Sequence, residues 1–214
     1  MPDLRFRIDR VAPVACSLAP QLGFQIRIEN SMPEVIHSIL LRCTIQVEAA
    51  KRRYSQDEQD RLRDLFGDAS RWGETLHSLL WSNTSLVVPA FTGSIAIEVP
   101  APCSLDYTLA ISKYLNAMDS QDVPVSILFS GTVFYDPGSG LYQAQQIPWD
   151  RQAEFRMPAG LWRGLIDTYY PRKAWLCLPR ETFERLRCYQ AEHELGTIEE
   201  VLDALLPHAE GVAR

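Results

Sequence analysis

The residues best suited to chemistry are scattered. Four histidines (His37, His77, His193 and His208) and five cysteines (Cys16, Cys43, Cys103, Cys177 and Cys188) are spread over 214 residues. No two cysteines form a Cys-x-x-Cys pair, so neither a zinc site nor a thioredoxin-like motif has a local framework. The thiols are expected to be reduced and mostly buried. His37 falls in the apolar phase of a strand, which suits a hydrogen-bonded histidine in a core or an interface. His77 adjoins Ser78, but neighbours on a strand point to opposite faces, which argues against a base–nucleophile pair. His193 lies between Glu192 and Glu194, five residues from Cys188. A metal pair on a helix needs a separation of three or four. His208 stands near a terminus of the kind that frays.

The carboxylates Asp57, Glu58, Asp60 and Asp64 read as the wet face of a helix, with favourable charge near its N-terminus. Arg52, Arg53, Arg61, Arg63 and Arg71 flank them and are expected to pair with them. Gly138-Ser139-Gly140 lacks the lysine and following helix of a phosphate loop. Phe129-Ser130-Gly131-Thr132 lies inside a strand, not on the strand-to-helix elbow that exposes a hydrolase serine. The expectation is a protein that is not an enzyme, with no cofactor and no metal. An enzyme would require His37, His77 or Cys103 to meet distant acids in three dimensions.

Aromatic residues carry a stronger signal. Most of Trp72, Trp81, Trp149, Trp162 and Trp175 should be core, because aromatics bury the most area. Some stand beside prolines in connections, as in Pro148-Trp149-Asp150 and Tyr169-Tyr170-Pro171. Tryptophan and tyrosine are favoured interface anchors. Trp149, Asp150, Tyr169, Tyr170 and Trp72 are therefore the candidate partner surface.

The elements that hold these residues follow from periodicity. Leu4, Phe6 and Ile8 alternate with Arg5, Arg7 and Asp9; Leu22, Phe24, Ile26 and Ile28 alternate likewise. Period two places each apolar set on one face of a strand. A long strand spans about 36–48, with His37, Ile39, Leu41, Cys43, Ile45 and Val47 on one face. Ser55-Gln56-Asp57-Glu58 is a capping box that opens a helix to about Phe66; a short turn around Trp72 follows it. Strands are expected again at 76–90, 95–99, 105–111, 125–135 and 141–147. The stretch 125–135 is apolar on both faces, which suits a central strand. From Pro158 the period becomes helical: Leu161, Trp162, Leu165, Ile166 and Tyr169 form a stripe. Residues 174–178 read as short and extended. Pro179 opens a helix with Phe183 and Leu186 facing inward, and Thr197-Ile198-Glu199-Glu200 is a second capping box.

The fold expected is mainly β with helical additions (α+β). It is an antiparallel β-sandwich, immunoglobulin-like or related, with an inserted surface helix near 56–66 and a C-terminal helical segment. Residues 1–157 form the sandwich and 158–214 an appendage packed on it. Apolar residues at 46% and charged residues at 22% are ordinary globular values, which excludes disorder as the general state. A net charge of −6 repels phosphate, so nucleic acid and anionic lipid are poor partners. No apolar run reaches the roughly 20 residues of a membrane span. The first residues lack a basic start and apolar core, so the expected location is cytoplasmic. Sheet edges and exposed apolar stripes are compatible with a homodimer.

Several strings, in this order and spacing, resemble a known family. They are Arg53-Tyr54-Ser55, Asp64-Leu65-Phe66-Gly67, Arg71-Trp72-Gly73, Leu80-Trp81, Phe91-Thr92-Gly93, the run from Leu128 to Tyr135, Ile147-Pro148-Trp149-Asp150 and Tyr169-Tyr170-Pro171. The chain resembles, over nearly its whole length, a bacterial family of unknown function found mainly in actinobacteria. That family is loosely associated with gene neighbourhoods of nickel–iron hydrogenases. The resemblance implies an accessory or assembly protein whose partner is a hydrogenase component, and it supplies no functional residues. A non-catalytic adaptor acting by protein–protein interaction is thus the first expectation. A sandwich holding a small ligand in an aromatic-lined pocket is the alternative.

Overall fold

A computed structural model describes residues 2–103, 109–119, 121–138, 140–171 and 178–206, and among these alternating residues build eight antiparallel strands. One sheet has the order β1 (Leu4–Pro13), β2 (Gln21–Asn30), β5 (Ser94–Pro102). The other has the order β4 (Leu79–Val88), β3 (Val35–Val47), β6 (Val123–Asp136), β7 (Gln143–Gln146), with β8 (Gln152–Met157) also on β6. The fold is a β-sandwich with helical additions.

The apolar phase of each strand turns into one core. Leu22, Phe24, Ile26 and Ile28 face Ile39, Leu41, Cys43, Ile45 and Val47, all buried. Phe6 of β1 stacks on Phe129 of β6, with ring centroids 4.2 Å apart. Phe24 meets Trp81 edge-on at 5.8 Å. Each such pair adds about 0.5–1.5 kcal/mol beyond the area it buries. The two sides are tied by polar contacts. Trp81 Nε1 donates to the Pro102 carbonyl at 2.8 Å, joining β4 to β5. Arg151 Nη2 bonds Asp3 Oδ1 at 2.8 Å, joining the segment before β8 to the start of β1.

Helices fill one end of the sandwich. The expected single helix 56–66 is two: α1 (Gln56–Arg61) and α2 (Arg63–Phe66), parted at Leu62, which is buried. A turn of helix, α3 (Trp72–Thr75), precedes β4. Strand β4 begins at Leu79 rather than near residue 76.

The expected strand at 105–111 is corrected. Residues 104–108 lie outside the described residues, and Leu109–Ala117 is a helix, α4. Its Ile111, Tyr114, Leu115 and Met118 are buried, at helical spacing. A seven-residue window cannot tell that spacing from alternation when it covers only the first turn. Strand β8 adds to the strands expected from the sequence, and its Ala153, Phe155 and Met157 alternate with polar residues.

His37 is likewise corrected. The register of β3 on β6 shifts between Ile36 and Ser38. One extra residue in a strand flips the phase beyond it. Ile36 is therefore buried, while His37 is exposed and packs on Tyr142 with ring centroids 4.5 Å apart.

The chain divides into two compact units, residues 1–173 and 174–214. Helix α5 (Ala159–Tyr169) belongs to the first, where Trp162, Leu165 and Ile166 join the core. The change of period near Arg156 is thus a change of element within the first unit. The second unit holds α6 (Arg180–Glu192) and α7 (Ile198–Leu205). Phe183, expected to face inward, is 46% exposed, and Leu186 is half-buried. Thr197 Oγ1 caps α7 by accepting from the Glu200 amide at 3.2 Å. The Glu200 carboxylate reaches past Thr197 to the Gly196 amide at 2.7 Å. Residues 174–177 of the expected extended segment, Trp175 among them, lie outside the described residues. No helix among the described residues is long and apolar enough to cross a membrane.

Candidate interaction surface

Strand β6 positions Trp149, the most exposed aromatic among the described residues. Its second half pairs with β7 up to Thr132↔Gln146, and its first half pairs with β8 from Leu128↔Gln152. Between them the chain leaves the edge and returns. The Ile147 amide bonds the Gly131 carbonyl at 2.9 Å, and the Phe129 amide bonds the Arg151 carbonyl at 2.9 Å. The turn Pro148-Trp149-Asp150 is thereby fixed opposite Ser130, closed by Arg151 N to the Pro148 carbonyl at 3.2 Å. Ile147 is buried beneath it, while Trp149 is 92% exposed and Asp150 is exposed. A large apolar ring is held in water on a turn whose backbone is pinned on both sides.

Gly131 makes this geometry possible. Its φ is +139°, and a Cβ there would lie 1.9 Å from the Leu40 carbonyl oxygen. Only glycine fits such an approach.

The other three candidate residues do not gather around Trp149. Tyr169 is half-buried, and its hydroxyl donates to the Ser17 carbonyl at 2.7 Å. Tyr170 is half-buried against the core. Trp72 meets Tyr54 and Phe66 edge-on at 5.2 and 6.0 Å, and its Nε1 donates to the Gly67 carbonyl at 3.1 Å. These three side chains serve packing first.

Titratable groups converge at one place that the sequence reading passed over. Glu58, grouped above with solvated carboxylates, is 1% exposed. Its Oε1 accepts from Arg52 Nη2 at 2.8 Å and from the Asp119 amide at 3.0 Å, and its Oε2 from the Ser55 amide at 3.0 Å. Arg52 also reaches Met118 Sδ and lies over the Tyr54 ring. Tyr54 and Tyr114 share a hydroxyl contact of 2.8 Å. Burial would raise the Glu58 carboxyl, but the Asp119 and Ser55 amides and Arg52 outweigh it and hold it below its usual range. Burial pushes both tyrosines up. Every oxygen of Glu58 is engaged within the fold, so the cluster joins α1 to the end of α4, while Arg52 Nε is buried without a hydrogen-bond partner. Asp64 of α2 pairs outward with Lys113 at 2.8 Å, and Arg61 of α1 pairs outward with Asp119 at 2.6 Å.

The other candidates stand apart. His77 is exposed, and His193 stacks on Tyr189 at 3.9 Å at the end of α6. His208 and Cys177 lie outside the described residues. Cys43 and Cys103 are buried, and burial pushes each thiol up to about 12. Cys16 and Cys188 are exposed, contrary to the expectation of mostly buried thiols only for those two. Among the described residues no group of three or more His, Cys, Asp or Glu side chains is gathered as a metal would require.

The motifs quoted above run from Arg53 to Pro171, and the family match extends beyond them at both ends. The chain belongs to the family of unknown function DUF6084, which it matches over residues 1–214. No curated protein matches its sequence. A CARDB domain from Pyrococcus furiosus, solved in complex with di-metal ions, aligns at a TM-score of 0.28 and 10% identity, over 73% of this chain and 92% of that one. A putative late embryogenesis abundant protein aligns at 0.34 and 13% identity, over 74% and 73%. β-Glucosidase 3B from Thermotoga neapolitana, in complex with α-D-glucose, aligns at 0.27 and 9% identity, over 72% of this chain and 17% of that one. At these scores the alignments carry no argument about what this family member binds.

Proposed function

We propose that this chain is a non-catalytic adaptor of bacterial cytoplasm that acts by protein–protein interaction through the turn bearing Trp149. The observation that carries the reading is a tryptophan 92% exposed on a backbone fixed by two hydrogen bonds to β6. Exposing an indole forfeits the burial of a large apolar surface, and rigid aromatic anchors are what interfaces use as hot spots. A rigid turn also loses little conformational entropy on binding.

The finer part of the proposal is the partner. The resemblance to a family found near nickel–iron hydrogenase genes makes a hydrogenase component the partner to test. The exposed carboxylates Asp57 and Asp60 of α1 offer a second, charged contact on the same unit.

The test compares the tagged chain and its Trp149→Ala variant, expressed at equal levels in native cells and followed by quantitative mass spectrometry. The proposal expects one set of proteins, hydrogenase components among them, to be depleted by the substitution. Equal recovery of every protein with both baits overturns the role of Trp149. A deletion strain with unchanged hydrogenase activity removes the hydrogenase link.

A further inference from the structure

On the outer face of the five-stranded sheet, among the described residues, Leu40, Arg42, Ser85, Val87 and Ser130 are exposed, and the side chains there can be placed row by row from the strand register. Leu40 stands between Val87 and Thr132, with Gln146 beyond Thr132. Arg42 stands between Ser85 and Ser130. Leu40 and Val87 are 51% and 63% exposed. Together these residues line a shallow, open hollow of about 500 Å³. The row of Ser85, Arg42 and Ser130 continues into the turn Pro148-Trp149-Asp150, because that turn straddles Ser130.

Two charges on this row are unspent. Among the described residues, the side chains of Arg42 and Asp150 have neither a hydrogen bond nor an ion pair. They also stand on opposite sides of Ser130. Neighbouring strands are about 4.8 Å apart, so Arg42 on β3 lies about one strand spacing from Ser130, and the turn bearing Asp150 lies beyond Ser130 on the other side, where the chain leaves the edge between Ile147 and Arg151. A two-fold axis lying in the face along β6 would carry each of these positions onto the other. Arg42 of one copy would then meet Asp150 of the next, and the reverse, as an isologous contact requires. Leu40 would face Gln146, and Trp149 would reach toward Ser85 and Val87.

The edges of the three-stranded sheet are poor alternatives for self-association. β1 carries Arg5, Arg7, Asp9 and Arg10 with a register shift, and β5 carries Pro100 and Pro102. Charges, bulges and prolines are the devices that block edge pairing.

We infer that this face is the interface between two copies of the chain, with reciprocal Arg42–Asp150 pairs flanking a two-fold axis along β6. This rests on the reading of the Trp149 turn as an interaction surface and names a second copy as the polypeptide it touches; a hydrogenase component would then bind the dimer, and Trp149→Ala would deplete it by dissolving that dimer. The dimer leaves the carboxylates of α1 free for another partner.

Sedimentation of the full chain from about 1 to about 200 µM tests it. The expected result is a concentration-dependent species of twice the 24.3 kDa chain mass. Arg42→Asp and Asp150→Arg should each weaken association by about tenfold or more, and the double exchange should restore it to within about threefold. Both residues are exposed, and far-UV circular dichroism will show that each variant is folded. A monomer at every concentration, or a double variant no stronger than the single ones, overturns the inference. If the wild type is monomeric while Trp149→Ala still loses a cellular partner, the adaptor reading stands and only the second copy is excluded as occupant.

Discussion

Arg52 Nη2 lies 2.8 Å from Glu58 Oε1, with 4% of one side chain and 2% of the other exposed. The pair forms because a capping box seats Glu58 at the third position of α1 and turns it back toward Ser55. The price is desolvation of two charges, met by the amides of Ser55 and Asp119. Removing one member strands the other. Glu58→Gln should cost roughly 3–5 kcal/mol of stability, whereas Asp119→Ala, which breaks only an exposed pair, should cost under about 1 kcal/mol. Urea unfolding of the two variants measures both.

The same carboxylate makes stability depend on acid. Its folded value is held below its ordinary 4.5, so the ionised form favours the folded state. That contribution is complete above the ordinary value and is lost as pH falls through the folded value. Melting temperature should therefore drop as pH is lowered below about 4.5. The drop in Glu58→Gln should be smaller. Parallel curves for the two proteins would show that other groups govern the acid limb.

Gly131→Ala should be severely destabilising. The new Cβ would meet the Leu40 carbonyl oxygen at 1.9 Å, and φ is +139°. Strand β6 must move from β3, or the turn must shift, at a cost of about 3 kcal/mol or more. Denaturant titration checks this, and a variant as stable as the wild type would mean that β6 can refit.

The thiols should react in two classes. Burial pushes Cys43 and Cys103 up to about 12, which denies them both thiolate and access. Cys16 and Cys188 are exposed. A disulfide reagent at about pH 8 should label Cys16 and Cys188 in the folded protein, and Cys43 and Cys103 only after unfolding. Peptide mapping distinguishes them.

Much of this architecture was legible in the alternation of residues, because every second residue is buried from Leu22 to Ile28 in β2 and from Ile39 to Val47 in β3. What failed did so for local reasons. Alternation around Leu109 and Ile111 covers too few residues to separate a strand from the first turn of α4. A single bulge between Ile36 and Ser38 reverses the face of His37, and no composition rule announces a bulge. Glu58 was legible as a cap but not as a buried ion, because the Asp119 amide that completes its shell comes from 61 residues away. Trp149 was legible from its place between a proline and an aspartate. Arg42 was not, since only the register brings it level with the turn that holds Asp150.

The central claim is that the Trp149 turn touches another polypeptide. The most direct measurement is photo-crosslinking in native cells from a benzophenone side chain placed at position 149, with His193, exposed on the second unit, as a control position. The account predicts discrete adducts from position 149, each a defined polypeptide, and none of these from the control. Irradiation that yields only uncrosslinked chain at position 149, with the protein folded and abundant, would contradict it.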